Sequence, residues 1–270
     1  MLLLPVSAVR PECSIAGMCF DLDSRPPIPP LAGAAVDGSR IELRSSDGTP
    51  FAAFAARPSD PKGAAMLILP DVRGLHAFYE ELALRFAEAG VEALAIDWFG
   101  RSAGVGPRDA DFEHGPHVEQ VRYATVMADM RAGSEELAAR PGVTAVFSVG
   151  FCFGGRLAFL AASRPELGLS GAIGFYGVVA GPGRADVPAP VEFATDVRCP
   201  ILGLFGGADP SIPQAAIDGY DRRLSEAGVE RELVVYPGAP HSFFDRKAAD
   251  YAEASADAWR RVLDFVRVPT

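Results

Sequence analysis

The sequence predicts an α/β fold, a mostly parallel central sheet with helices on both faces and an antiparallel hairpin at its N-terminal side. Three observations predict it. Short apolar runs of the length of buried strands recur along the chain. Segments of helical periodicity alternate with them, the order expected of parallel strands joined by crossover helices. Of the 270 residues, 49% are apolar and 22% charged, which supplies one sizeable core.

Taken in order, residues 1–37 read as an irregular arm. Its Arg25-Pro26-Pro27-Ile28-Pro29-Pro30 stretch is stiff and extended, because proline fixes φ and lacks a donor. Residues 38–270 read as a single domain. It opens with a hairpin: a strand at 41–44, a turn at Ser46-Asp47-Gly48 and a returning strand at 51–56. Buried strands follow at 64–69, 91–96, 143–149, 171–175, 201–205 and 232–236. Helices are expected at 77–89, stopping at Gly90, and at 118–139, 156–162, 212–227 and 248–265. Residues 100–116 and 177–198 read as loops.

Composition excludes several classes of function. The net charge of −10 gives no basic footprint for DNA or RNA. No apolar stretch is long enough for a membrane helix, and the start lacks the basic and long apolar regions of a signal peptide. Cys13, Cys19, Cys152 and Cys199 form no C-x-x-C pair and no metal-ligand spacing, so no metal site is expected. Free thiols then point to a reducing, cytoplasmic setting.

The segment that carries chemistry is Gly150-Phe151-Cys152-Phe153-Gly154-Gly155, a strand running through G-x-C-x-G into a helix. It is the nucleophile-elbow pattern of the α/β-hydrolase fold with cysteine in the serine position. So sharp a turn forces the nucleophile into a strained conformation, and side chains at the flanking glycines would collide. The helix N-terminus favours thiolate over thiol, and the Phe153 N–H faces the developing oxyanion. An inert buried cysteine in a tight βα turn is the bland alternative. Phosphate binding is disfavoured by the absence of a Walker lysine. The remainder of the chain tips the balance. Asp209 follows the strand at 201–205 and His241 follows the last strand, so nucleophile, acid and base come in the order this fold requires. His241 would move the proton and Asp209 would hold its tautomer. The second oxyanion donor is expected in the loop after the first buried strand, at the Val72 N–H, with Asp71 beside it. His76 is expected to cap or line the pocket, and His114 and His117 to face solvent.

These residues resemble the dienelactone hydrolase family, also called carboxymethylenebutenolidases, over roughly residues 41–265. The resemblance rests on Pro70-Asp71-x-x-Gly74, Asp97-Trp98-Phe99-Gly100-Arg101, the cysteine elbow, Phe175-Tyr176-Gly177, Gly206-x-x-Asp209 and His241-Ser242-Phe243. It implies a cofactor-free hydrolase, monomeric in the family and here a monomer or homodimer. Such an enzyme opens a small-molecule lactone or ester through an acyl-cysteine. It also implies that Asp71, Arg73, Trp98, Arg101, Tyr176, Phe243 and Arg246 surround the substrate. Two positions depart from the family pattern. Asp71 stands where the family has a glutamate that holds and helps activate the thiol. Asp245 stands where it has an arginine that binds the substrate carboxylate, with Arg246 next to it and Arg73 and Arg101 as other candidates. Rival readings are a general carboxylesterase or thioesterase, a non-catalytic binding relative, and a thiol redox enzyme, which would want a resolving cysteine near Cys152.

Overall fold

The computed structural model describes residues 24–31, 36–245 and 247–267. Eight strands form one sheet in the order β1-β2-β4-β3-β5-β6-β7-β8. β1 (Val36–Arg44) and β2 (Pro50–Pro58) are the expected hairpin; β1 starts five residues earlier than the sequence signals and ends where expected, and β2 is longer at both ends. β1 takes its first two residues from the segment read as arm. β2 pairs antiparallel with β4 (Glu92–Ile96). From there β3 (Ala64–Leu69), β5 (Ala145–Phe151), β6 (Gly171–Phe175), β7 (Ile201–Gly206) and β8 (Arg231–Tyr236) continue in parallel.

The strand side chains alternate between two cores. Met66, Ile68 and Ile173 pack with Phe78, Leu82 and Phe86 of α1 (Ala77–Glu88) and Val262 of α7 (Ala252–Phe265). Leu67, Leu69, Leu94 and Ile96 pack with Val126, Met130 and Leu137 of α4 (Tyr123–Ala138) and Leu157 of α5 (Phe153–Ala161). Helix α6 (Gln214–Glu226) joins the first core through Tyr220, whose ring lies 5.6 Å from that of Phe159. No helix among the described residues is long and apolar enough to cross a membrane.

Three departures from the sequence reading lie in the helices, and the last two have a cause in distant contacts. The segment at 100–116 is not all loop: α2 (Gly100–Ala103) and α3 (His114–Gln120) form within and beyond it. The single helix expected at 118–139 is split at Val121 and Arg122, both in extended conformation. The second piece, α4, starts where the Tyr123 N–H donates to Asp186 Oδ1 at 2.7 Å, a cap supplied from far along the chain. Finally, α5 begins at Phe153 rather than 156, because Gly154 and Gly155, poor helix formers, are held there by close contact with neighbouring backbone.

Arg156, one turn into α5 and only 3% exposed, ties down the loop after β6. Its guanidinium donates to the carbonyls of Pro188 (2.9 Å), Gly181 (2.9 Å), Val178 (3.3 Å) and Val187 (3.3 Å). Arg156→Met keeps the volume and removes all four bonds. It is expected to cost about 3 kcal/mol, since hydrogen bonds to a charged donor are the stronger kind and buried carbonyls are left bare. Denaturant unfolding checks the cost, and limited proteolysis should find new cleavage within 177–189.

Candidate active site

The elbow forms as its glycines require. Cys152 sits between β5 and α5 with φ 54° and ψ −112°, a conformation that costs a non-glycine residue on the order of 1–3 kcal/mol and marks functional turns. A Cβ on Gly150 would lie 1.9 Å from the Gly154 carbonyl oxygen, and one on Gly154 would lie 2.2 Å from those of Leu69 and Pro70. The Cys152 N–H donates to Phe175 O at 3.0 Å, and the side chain is partly exposed. The Phe153 N–H, first of the helix, has no acceptor among the described residues.

Asp209 and His241 come from the turns after β7 and β8. The two turns interlock: the Gly207 N–H donates to Tyr236 O at 2.8 Å, and the Ala208 N–H to Ala239 O at 2.9 Å. Gly206 permits this approach, because a Cβ there would meet Ala239 O at 2.4 Å. His241 Nδ1 lies 2.6 Å from Asp209 Oδ2, and both residues are buried. The other Asp209 oxygen accepts the Ser211 N–H at 2.8 Å, which fixes the carboxylate plane. His241 Nε2 is buried and makes no hydrogen bond to a described residue.

Tyr176 joins the two halves of the site. It follows β6 at φ 38°, directly after the carbonyl that Cys152 bonds, and its ring centroid is 4.8 Å from that of His241. Its hydroxyl donates to Asp245 Oδ2 at 3.0 Å. Burial, reinforced by the Asp245 charge, pushes the Tyr176 hydroxyl well above the ordinary tyrosine range, so it stays a donor.

The loop after β3 supplies the other wall. The Asp71 N–H donates to Tyr79 Oη (2.9 Å), the Arg73 N–H to Asp71 Oδ1 (2.8 Å) and the Leu75 N–H to Asp97 Oδ1 (3.0 Å). The Gly74 N–H donates to Asp71 O (3.1 Å). Between Asp71 and Leu75 every backbone donor is thus engaged except that of Val72, which has no acceptor among the described residues. Asp97, fully buried, also accepts the Phe99 N–H and the guanidinium of Arg108.

The remaining predicted residues divide. Asp71 and Arg73 lie at the site and pair with each other, Nη2 to Oδ2 at 3.1 Å. Burial alone would raise the Asp71 pKa, but His76 and Arg73 outweigh it and hold the carboxyl below its usual range. Arg73 also borders a cavity of about 280 Å³ with Arg108, Phe112 and His114. Trp98 does not line a pocket surface: it is 3% exposed and packs edge-on against Phe153, 5.5 Å between centroids, beneath the elbow helix. Phe243 is wholly buried among Phe175, Tyr176 and Tyr236, a core role rather than a substrate contact. Arg101 turns away, its guanidinium taken by Asp129 and Asp47. Arg246 lies outside the described residues, as do Cys13 and Cys19. His114 and His117 are half-buried rather than solvent-facing. Burial lowers the His114 pKa, and His117 stacks on Phe112 at 5.0 Å.

Two contacts are not predicted by the sequence. His76 is 2% exposed with Nε2 3.9 Å from Asp71 Oδ2, and Arg108 is a buried partner of Asp97. The spacing of His76 from Asp71 hints at the first. Nothing in a charged, glycine-rich stretch distinguishes Arg108 from its neighbours. Among the described residues, no group of three or more histidine, cysteine or acidic side chains is placed to hold a metal ion.

Comparison with known proteins agrees with this architecture. Residues 51–268 match the family model described as the dienelactone hydrolase family. A Salmonella typhimurium protein named "Putative carboxymethylenebutenolidase" is 34% identical over 232 residues, 82% of this chain and 83% of its own. A Methylorubrum extorquens protein of the same name is 32% identical, covering 84% of this chain and 79% of its own. The crystal structure of a "Putative Dienelactone Hydrolase" from Klebsiella pneumoniae superposes with a TM-score of 0.74 at 31% identity, over 86% of this chain and 98% of that one. By sequence and by structure, the chain belongs to the dienelactone hydrolase family of hydrolases with the α/β-hydrolase fold.

Proposed function

We propose that the chain hydrolyses a lactone or a small activated ester through an acyl-cysteine formed on Cys152. One observation carries the reading. A strained, partly exposed cysteine at a helix N-terminus shares a site with a histidine whose Nδ1 is fixed by Asp209 and whose Nε2 is buried and uncommitted. The Sγ of Cys152 attacks the carbonyl carbon while its proton passes to His241. The N–H groups of Phe153 and Val72 hold the oxyanion. Collapse of the tetrahedral intermediate breaks the C–O bond, and His241 gives its proton to the departing oxygen. Water then attacks the thioester, His241 again taking the proton, and the acid leaves with the thiol restored. These steps need Sγ within reach of Nε2, which makes no hydrogen bond in the resting structure. Catalytic hydrogen bonds commonly tighten only when substrate is bound.

Thiolates suit good leaving groups, so enol lactones and aryl esters are the expected substrates and amides are not. The names of the curated relatives support the same class. The intermediate is the test. Acid quench of turnover with 4-nitrophenyl acetate, followed by peptide mass mapping, is expected to find an acetyl group on the peptide containing Cys152. Turnover with the label on another residue, or with none on Cys152 at any quench time, would sink the reading.

A further inference from the structure

We propose that Asp71 is a positioning residue, whose carboxylate holds the loop after β3 so that the Val72 N–H faces the oxyanion, and that it does not serve the thiol directly. The proposal rests on the reading of Cys152 and Val72 given above.

The bonds of Asp71 stay close to its own loop. Among the described residues its carboxylate accepts three hydrogen bonds from Arg73: the backbone N–H at 2.8 Å, Nε at 3.4 Å and Nη2 at 3.1 Å. His76 adds a charge contact at 3.9 Å, and the Asp71 N–H is held by the hydroxyl of Tyr79. The bond from Oδ1 to the N–H two residues on is the side-chain turn that aspartate and asparagine make and glutamate, one methylene longer, does not. It closes the turn on one side of Val72, while Asp97 holds Leu75 on the other. Both aspartates are completely buried, and between them the peptide plane carrying the Val72 N–H has no freedom to tilt. Donors aimed in advance at the developing charge are what make such a hole effective. The shorter side chain at this position, which departs from the family's glutamate, therefore changes what the carboxylate does. It makes the loop rigid at the expense of a contact with sulfur.

The two roles rank substitutions in opposite orders. For positioning, Asp71→Asn keeps the acceptor for the Arg73 N–H and should retain kcat for 4-nitrophenyl acetate within about fivefold. Asp71→Glu and Asp71→Ala lose it, with kcat falling on the order of a hundredfold at little-changed KM, because misplacing a catalytic group by about an ångström has that effect. The rate of Cys152 alkylation by iodoacetamide, followed against pH without substrate, should be unmoved in Asp71→Asn. For a carboxylate that activates the thiol, glutamate would substitute and asparagine would fail with alanine. A kcat for Asp71→Glu equal to or above that of Asp71→Asn overturns the proposal, and so does a shifted alkylation profile in Asp71→Asn. If Asp71→Ala does not fold, the order of the other two decides. Absence of acyl capture at Cys152 in the unsubstituted chain would instead overturn the underlying assignment, so the two failures are distinguishable.

Discussion

Replacing Cys152 with alanine is expected to lower kcat for aryl esters and enol lactones by at least about ten-thousandfold, since removing a nucleophile that acts as one unit with its base costs nearly as much as removing the whole unit. The substitution deletes one sulfur from a partly exposed position at the margin of the first core, so the fold should persist. The pair of Asp209 and His241 is built by the turns after β7 and β8, and Ser211 holds the carboxylate independently of the elbow. What remains in the variant is the proposed pair of N–H donors and the binding surface, which on their own leave an enhancement over water of about a thousand- to ten-thousandfold. Cys152→Ser keeps a nucleophilic atom, but a hydroxyl must be deprotonated during attack, whereas a thiol can be largely ionised beforehand. Its activity is expected to lie between the two. Initial rates on purified variants, with circular dichroism to verify folding, measure the effect. An alanine variant within tenfold of the unsubstituted chain would remove Cys152 from the mechanism.

How much of this is legible in the sequence depends on the range of the forces involved. The strands at 64–69 and 171–175 end where the apolar runs end, because burial on both faces of a parallel sheet leaves no polar position to blur the boundary. Helix α5 starts three residues before the point the sequence predicts. Local propensity counts Gly154 and Gly155 as helix breakers, and the contacts that make them necessary come from β3 and β6. The start of α4 is invisible for the same reason, its cap being Asp186. In the site, Cys152, Asp209 and His241 announce themselves because each sits in a turn at the end of an apolar strand, and topology brings such turns to one edge of the sheet. Charged residues carry no such address. Arg101 and Arg73 look alike in sequence, yet one is drawn to Asp129 and Asp47 and the other to Asp71. Long side chains reach whichever carboxylate the fold places near them, and that is settled only in three dimensions. Phe243 lies in the core rather than the pocket because a histidine and an aromatic close in sequence need not face the same way.

Gly154→Ala is expected to remove more than about 4 kcal/mol of stability, a loss reserved for substitutions that the structure cannot absorb. The added Cβ would stand 2.2 Å from two carbonyl oxygens, those of Leu69 and Pro70. Both belong to backbone that cannot retreat: Leu69 is in register with Gly150 of β5, and the Asp71 N–H next in the chain is held by Tyr79. Relief requires α5 to lift from the sheet, which would carry Cys152 and the Phe153 N–H away from Val72. Two other helical glycines separate this effect from helix propensity. A Cβ on Gly133 of α4 would meet side chains rather than backbone, Leu67 Cδ1 at 2.8 Å, Ile96 Cγ2 at 3.3 Å and Leu94 Cδ2 at 3.6 Å, and the nearest of these is the tip of a flexible side chain. Gly219 of α6 has nothing within 4 Å, so alanine there should gain up to about 1 kcal/mol. Guanidinium unfolding of the three variants is expected to rank them Gly219→Ala, Gly133→Ala, Gly154→Ala from most to least stable. A Gly154→Ala protein within about 1 kcal/mol of the parent would show that the elbow can open without loss. In that event close approach of α5 to the β3 loop would no longer explain why the two proposed oxyanion donors are held together, and the proposed link from packing to catalysis would break at that step.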